Sequence, residues 1–140
     1  GLLRGSLDHV TPLLRRATLV TPNLAEAAAF TGGNLDDRSD MRAAARALHR
    51  QGARAALVKG GHLAGDPVDV LFDGAQLHEY PGTRVAVEHV RGTGCALSTA
   101  LTCALAQDAP LPEAVTAARH YLRARLRQTY DLGGRHRYLP

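Results

Sequence analysis

The chain is poor in cysteine, lysine and aromatic side chains. Its 140 residues hold two cysteines, one lysine, four tyrosines and two phenylalanines. Cys95 and Cys103 fall eight residues apart in a stretch that reads as helix. At about 1.5 Å of rise per residue they sit roughly 12 Å apart, too far for a disulfide. A disulfide scaffold is excluded and a reducing cytoplasm is the expected setting. The scarcity of aromatics leaves little to stack on nucleic-acid bases, although the net charge is +4. Arginines are scattered, and the densest run (Arg119, Arg123, Arg125, Arg127, Arg135, Arg137) reads as a solvated basic face on the last helix. No apolar run approaches the roughly 20 residues of a membrane span, and nothing resembles a signal peptide. Neither nucleic acid nor membrane is therefore an expected partner. Zinc-like Cys/His spacing, G-x-S-x-G and the G-x-x-x-x-G-K-[ST] loop are all missing.

What is present supports a packed core. Apolar residues make up 45% of the chain, enough for one compact domain. "ATLVT", residues 17–21, reads as a buried strand ended by Pro22, and "LAEAAAF" as a helix opened by Pro22-Asn23 and stopped at Gly32-Gly33. Ser39 or Asp40 is the expected cap of a second helix, whose Met41, Ala44, Ala45 and Leu48 share one face. "ARAALVKGG" predicts another buried strand. "VDVLFDGAQLHEY" predicts a hairpin around Asp73-Gly74, and "RVAVEHV" a further strand. Residues 94–106 form an expected helix buried against the sheet, and a last helix from near Pro112 turns Ala114, Val115, Ala118, Leu122 and Leu126 inward. Residues 1–16 read as a helix-like approach to the first strand. Strand, two helices, strand, hairpin, strand, two helices is an α/β order, a sheet covered by helices. A sheet of so few strands has a raw edge, as if the chain were the later half of a larger α/β domain.

Three stretches could carry chemistry. In "VRGTGCALSTA", Gly92, Thr93 and Gly94 form a glycine-rich turn that runs at once into a helix. Such a corner points unpaired N–H groups at one spot, with the positive end of the helix behind them, and so suits a phosphate. Cys95 sits in that field, where a thiol can accept a proton or act as a nucleophile. Cys103 reads as a small buried hydrophobe. Asn23 and Glu26 stand three apart at a helix start, where the spacing by itself reads as a capping box, with holding water around Mg²⁺ as the alternative. Lys59 is the only lysine among seventeen basic residues, and two glycines follow it at a strand end. Either codon bias left it alone, or a compact ammonium is needed there for a β- or γ-phosphate. His62 reads as an ordinary loop residue.

Taken together, "VTPNLAEAAAFTG", "ALVKGGH", "DVLFDG" and "GTGCALSTALTCALA", in this order and spacing, closely resemble the hydroxymethylpyrimidine/phosphomethylpyrimidine kinases of thiamine biosynthesis. The resemblance runs from Leu13 onward. It implies a ribokinase-like fold, a central mostly parallel sheet flanked by helices, with residues 1–140 as the C-terminal half of a single kinase domain. The implied reaction moves the γ-phosphoryl group of MgATP to 4-amino-5-hydroxymethyl-2-methylpyrimidine and then phosphorylates the monophosphate again. By resemblance, Gly92, Thr93, Gly94 and Cys95 form the catalytic anion hole. Cys95 stands where related sugar and pyridoxal kinases carry an aspartate base. Lys59 and Gly60 lie by the nucleotide phosphates together with Gly92, Thr93 and Gly94, and Asn23 and Glu26 organise Mg²⁺. The chain departs from the family before the turn, with His89-Val90-Arg91 in place of the usual Asn-Thr-His. Pyridoxal kinase of the same superfamily and a truncated, non-catalytic nucleotide-binding remnant are the alternative readings, and a homodimer is compatible with the sequence.

Overall fold

The computed structural model describes residues 10–87 and 89–140. The helix-like approach expected at the start of the chain lies largely outside the described residues. From Thr11 the elements run α1 (Thr11–Leu14), α2 (Leu24–Thr31), α3 (Arg38–Arg50), β1 (Ala56–Lys59), β2 (Val68–Phe72), β3 (Leu77–Pro81), β4 (Val90–Arg91), α4 (Thr93–Leu105), α5 (Leu111–Leu126), β5 (Tyr130–Asp131) and β6 (Arg137–Tyr138). The chain divides into two compact units between Thr83 and Arg84. Among the described residues no helix is long and apolar enough to cross a membrane.

In the first unit, β1, β2 and β3 make an antiparallel sheet in that order. On the other side of β1 the segment around Val20 runs parallel to it, through bridges Val20–Ala56 and Asn23–Lys59. Leu57 N–H donates to Val20 O (2.8 Å) and Lys59 N–H to Pro22 O (2.9 Å). The strand expected over residues 17–21 is thus reduced to bridges, because Pro22 has no N–H with which to continue the ladder. α3 packs on β1 and β2. Its Met41, Ala44, Ala45 and Leu48 join Ala56, Val58, Val68, Val70 and Phe72 in one buried cluster, as the helical spacing predicts. Its cap is Asp37, not Ser39 or Asp40. The Asp37 carboxylate accepts the Asp40 N–H at 2.9 Å, and Asp40 reaches back to the Asp37 N–H at 3.2 Å. Asp40 is the third residue of the helix, where a carboxylate completes the box rather than starting it.

The hairpin forms where expected, with a four-residue loop, since Phe72–Leu77 is the last pair of the ladder. The Asp73 carboxylate closes that loop by accepting the N–H groups of Ala75 and Gln76, each at 2.8 Å, and pairing with His78 Nε2 at 2.7 Å. These bonds, that from Gln76 foremost, hold its pKa down from 3.8 to about 2. A carboxyl group more acidic in the folded state stabilises the fold above its unfolded value, and that contribution is lost as pH falls through about 2. Urea midpoints measured from about pH 5 to about pH 2 should therefore fall less steeply for Asp73→Asn than for the wild type. Identical slopes would show that the loop gains nothing from the charge.

In the second unit α4 packs against α5. Leu97 and Leu101, one turn apart, are its buried residues, and Ala114, Val115 and Ala118 are those of α5. Leu122 and Leu126 are half-buried. The expected burial of most of α4 is not found: Thr99, Thr102 and both cysteines are exposed, Cys103 included. Its residues are small, so only the leucine stripe has enough apolar area to demand cover. Both thiols are free, as their spacing requires. The alternating stretch before β4 forms no strand over residues 84–87, and pairing begins at Val90. β4 runs parallel to β6, which pairs antiparallel with β5.

Candidate active site

In the first unit, sheet register and helix capping assemble three of the expected residues. Asn23 caps α2: its side-chain oxygen accepts the Glu26 N–H at 2.9 Å, and Glu26 Oε2 accepts the Asn23 N–H at 2.8 Å. The capping box is therefore real. It does not exhaust the pair, because Glu26 Oε1 accepts no hydrogen bond from the described residues. The Asn23–Lys59 bridge sets Lys59, the last residue of β1, directly beside this helix start. The start of α2, with Asn23 and Glu26, and Lys59 at the end of β1 thus meet at the carboxyl end of a buried strand, the usual ligand position of α/β sheets. His62, beyond the glycine pair, is exposed in the following loop.

Gly60 explains why the chain can turn there. A Cβ on this residue would lie 2.0 Å from the Val68 carbonyl oxygen and 2.9 Å from Met41 Cε. Its N–H donates to Asp69 Oδ1 at 2.9 Å. Asp69, the partner of Lys59 in the β1–β2 ladder, is a site-supporting residue absent from the sequence reading. The signal was a polar residue between Val68 and Val70, but its place opposite Lys59 depends on the hairpin register.

In the second unit Gly92 is the residue before α4, with φ +85°, and open space surrounds the place where its Cβ would be. The left-handed conformation favours glycine and turns the strand sharply into the helix. The first helical bond runs from Ala96 N–H to Gly92 O at 2.9 Å. Among the described residues nothing accepts from the preceding N–H groups of Thr93, Gly94 and Cys95, and Gly92 supplies no side-chain cap. Gly92 and Cys95 are exposed, and Thr93 and Gly94 are half-buried. Three free donors at the positive end of a 13-residue helix can receive an anion. Cys95 Sγ stands on the same turn.

The fold is that of the ribokinase-like kinases, although the described strands pair mostly antiparallel where the resemblance implies a mostly parallel sheet. The chain superimposes with a TM-score of 0.88 on a pyridoxal kinase of Bacillus subtilis solved as an ADP complex, at 31% identity, covering 94% of this chain and 51% of that one. Residues 5–139 match the phosphomethylpyrimidine kinase family, and the chain belongs to that family. It is 47% identical over 134 residues to the hydroxymethylpyrimidine/phosphomethylpyrimidine kinase of Streptomyces coelicolor, covering 95% of this chain and 50% of that protein. It is 50% identical over 121 residues to the thiamine biosynthesis bifunctional protein ThiED of Geobacter sulfurreducens, covering 86% of this chain and 25% of that protein. The chain thus spans half the length, or less, of these relatives.

Proposed function

We propose that this chain is the C-terminal half of a kinase domain that phosphorylates 4-amino-5-hydroxymethyl-2-methylpyrimidine, and then its monophosphate, at the expense of ATP. The observation that carries the reading is the open α4 corner, with the amides of Thr93, Gly94 and Cys95 free to receive charge on a migrating phosphoryl group. Cys95 takes the proton of the acceptor hydroxyl as general base. Lys59 holds nucleotide phosphate as a point charge, and Gly60 lets the backbone turn beside it. Asn23 and Glu26 fit a Mg²⁺ site through water and Glu26 Oε1, a donor set of the sparse, hydrated kind this ion prefers. Bound Mg²⁺ would neutralise phosphate charge there.

A second reading, pyridoxal as acceptor, is favoured by the structural likeness to pyridoxal kinase. The two are separated by offering both alcohols with MgATP to the shortest polypeptide carrying these 140 residues that turns over. Preference for pyridoxal would replace the pyrimidine assignment. The nucleotide assignment is checked on the chain itself by calorimetry with MgATP. Lys59→Ala should weaken binding about tenfold, the scale of one charge-assisted phosphate contact. An unaltered affinity would make the lysine incidental, and a folded wild-type chain that ignores MgATP would leave a structural module.

A further inference from the structure

Arg91 ends β4, one residue before the Gly92 turn, and is exposed. Its Nη2 lies 3.1 Å from His136 Nε2. An arginine has only donors, so His136 Nε2 is the acceptor. Among the described residues no carboxylate pairs with Arg91, and its remaining N–H groups take no acceptor. The neighbouring Arg137 is used differently: its Nε donates to Thr129 Oγ1 and its Nη2 to Thr129 O, both at 3.0 Å. One arginine is thus tied into the β5–β6 turn, while the other is braced by a histidine and presented outward.

The brace is itself held. His136 meets His89 edge to face, with ring centroids 6.4 Å apart. His89 has φ +55°, a conformation L residues rarely adopt, and its carbonyl accepts the Arg137 N–H at 3.1 Å. Strain of this kind persists only where surrounding contacts over-determine it. Two Cα–Cα steps of about 3.8 Å separate Arg91 from Thr93, within the reach of an arginine side chain.

Resting on the nucleotide reading above, we infer that Arg91 grips non-bridging oxygens of the terminal phosphates received by the amides of Thr93, Gly94 and Cys95. His136 is the positioning residue that holds its guanidinium. The planar fork matches two phosphate oxygens at once, which an ammonium cannot do. A side chain already held by His136 loses less freedom on binding than a loose one.

The test follows the Arg91 Nε–H signal and the amides of residues 93–95 by NMR as the chain is titrated with tripolyphosphate and, separately, with MgATP. Both probes should shift all four signals. Arg91→Ala should weaken tripolyphosphate binding about tenfold, and Arg91→Lys should recover only part of the loss. His136→Ala should weaken it about threefold, and His136→Gln, whose amide oxygen can accept in place of Nε2, should restore it. Affinity within about twofold of wild type in Arg91→Ala, with unchanged melting, would overturn the inference. Wild-type affinity in His136→Ala would overturn the positioning role. If tripolyphosphate binding depends on Arg91 but MgATP binds no more tightly than tripolyphosphate, the nucleotide reading falls and the Arg91 contact stands. If neither probe moves the signals, both fall.

Discussion

Cys95→Ala is expected to lower turnover about 10²-fold or more while leaving MgATP affinity within about twofold, the usual scale for losing a general base. The two effects separate because the groups that would receive phosphate at this corner are backbone amides, which the substitution leaves in place. The side chain contributes only the sulfur, exposed on the first turn of α4 and free of any disulfide. Steady-state rates beside calorimetric affinities, in the shortest active polypeptide carrying these residues, check the prediction. Turnover unchanged in Cys95→Ala would remove the proposed proton-accepting role.

Gly60→Ala should be the most damaging single methyl group in the first unit. The new Cβ meets the Val68 carbonyl oxygen at 2.0 Å, and that oxygen belongs to the second strand of the sheet. Relief requires either a shift of β2 against β1 or loss of the bond from Gly60 N–H to Asp69. Overpacking against backbone in this way costs about 3 kcal/mol, or roughly 10 °C in Tm for a domain of this size. Gly61→Ala is the control: nothing lies within 4 Å of its Cβ position, so the expected change is within about 0.5 kcal/mol. Equal melting of the two variants would mean that the strand ends yield more easily than their packing indicates.

Motifs whose meaning is local were legible in the sequence. The α3 face of Met41, Ala44, Ala45 and Leu48 follows from helical spacing alone. The glycine turn into α4 and the Asn23–Glu26 box are each contained within a few residues, so no distant partner is needed to recognise them. The misjudged features turn on neighbours. Burial of α4 was overestimated because Ala, Thr and Cys carry too little apolar area to announce which way they face. Over residues 84–87 alternation suggested a strand, but a strand exists only where a second backbone supplies its hydrogen bonds. Near Val20 the reverse occurred, with apolar β-branched residues present and the ladder cut short by Pro22.

By itself the sequence determined the main helices, the hairpin, the family and the candidate residues for phosphate chemistry, because periodicity, capping and glycine turns act within one or two turns of chain. β5 and β6 went unread. Tertiary structure decided which of those residues stand together. Lys59 comes beside Asn23 through a parallel bridge, Asp69 holds the turn at Gly60 through the hairpin register, and His136 reaches Arg91 across the β4–β6 pairing. Such meetings depend on ladder register, and register is set by how buried faces pair across the sheet rather than by any one segment's composition.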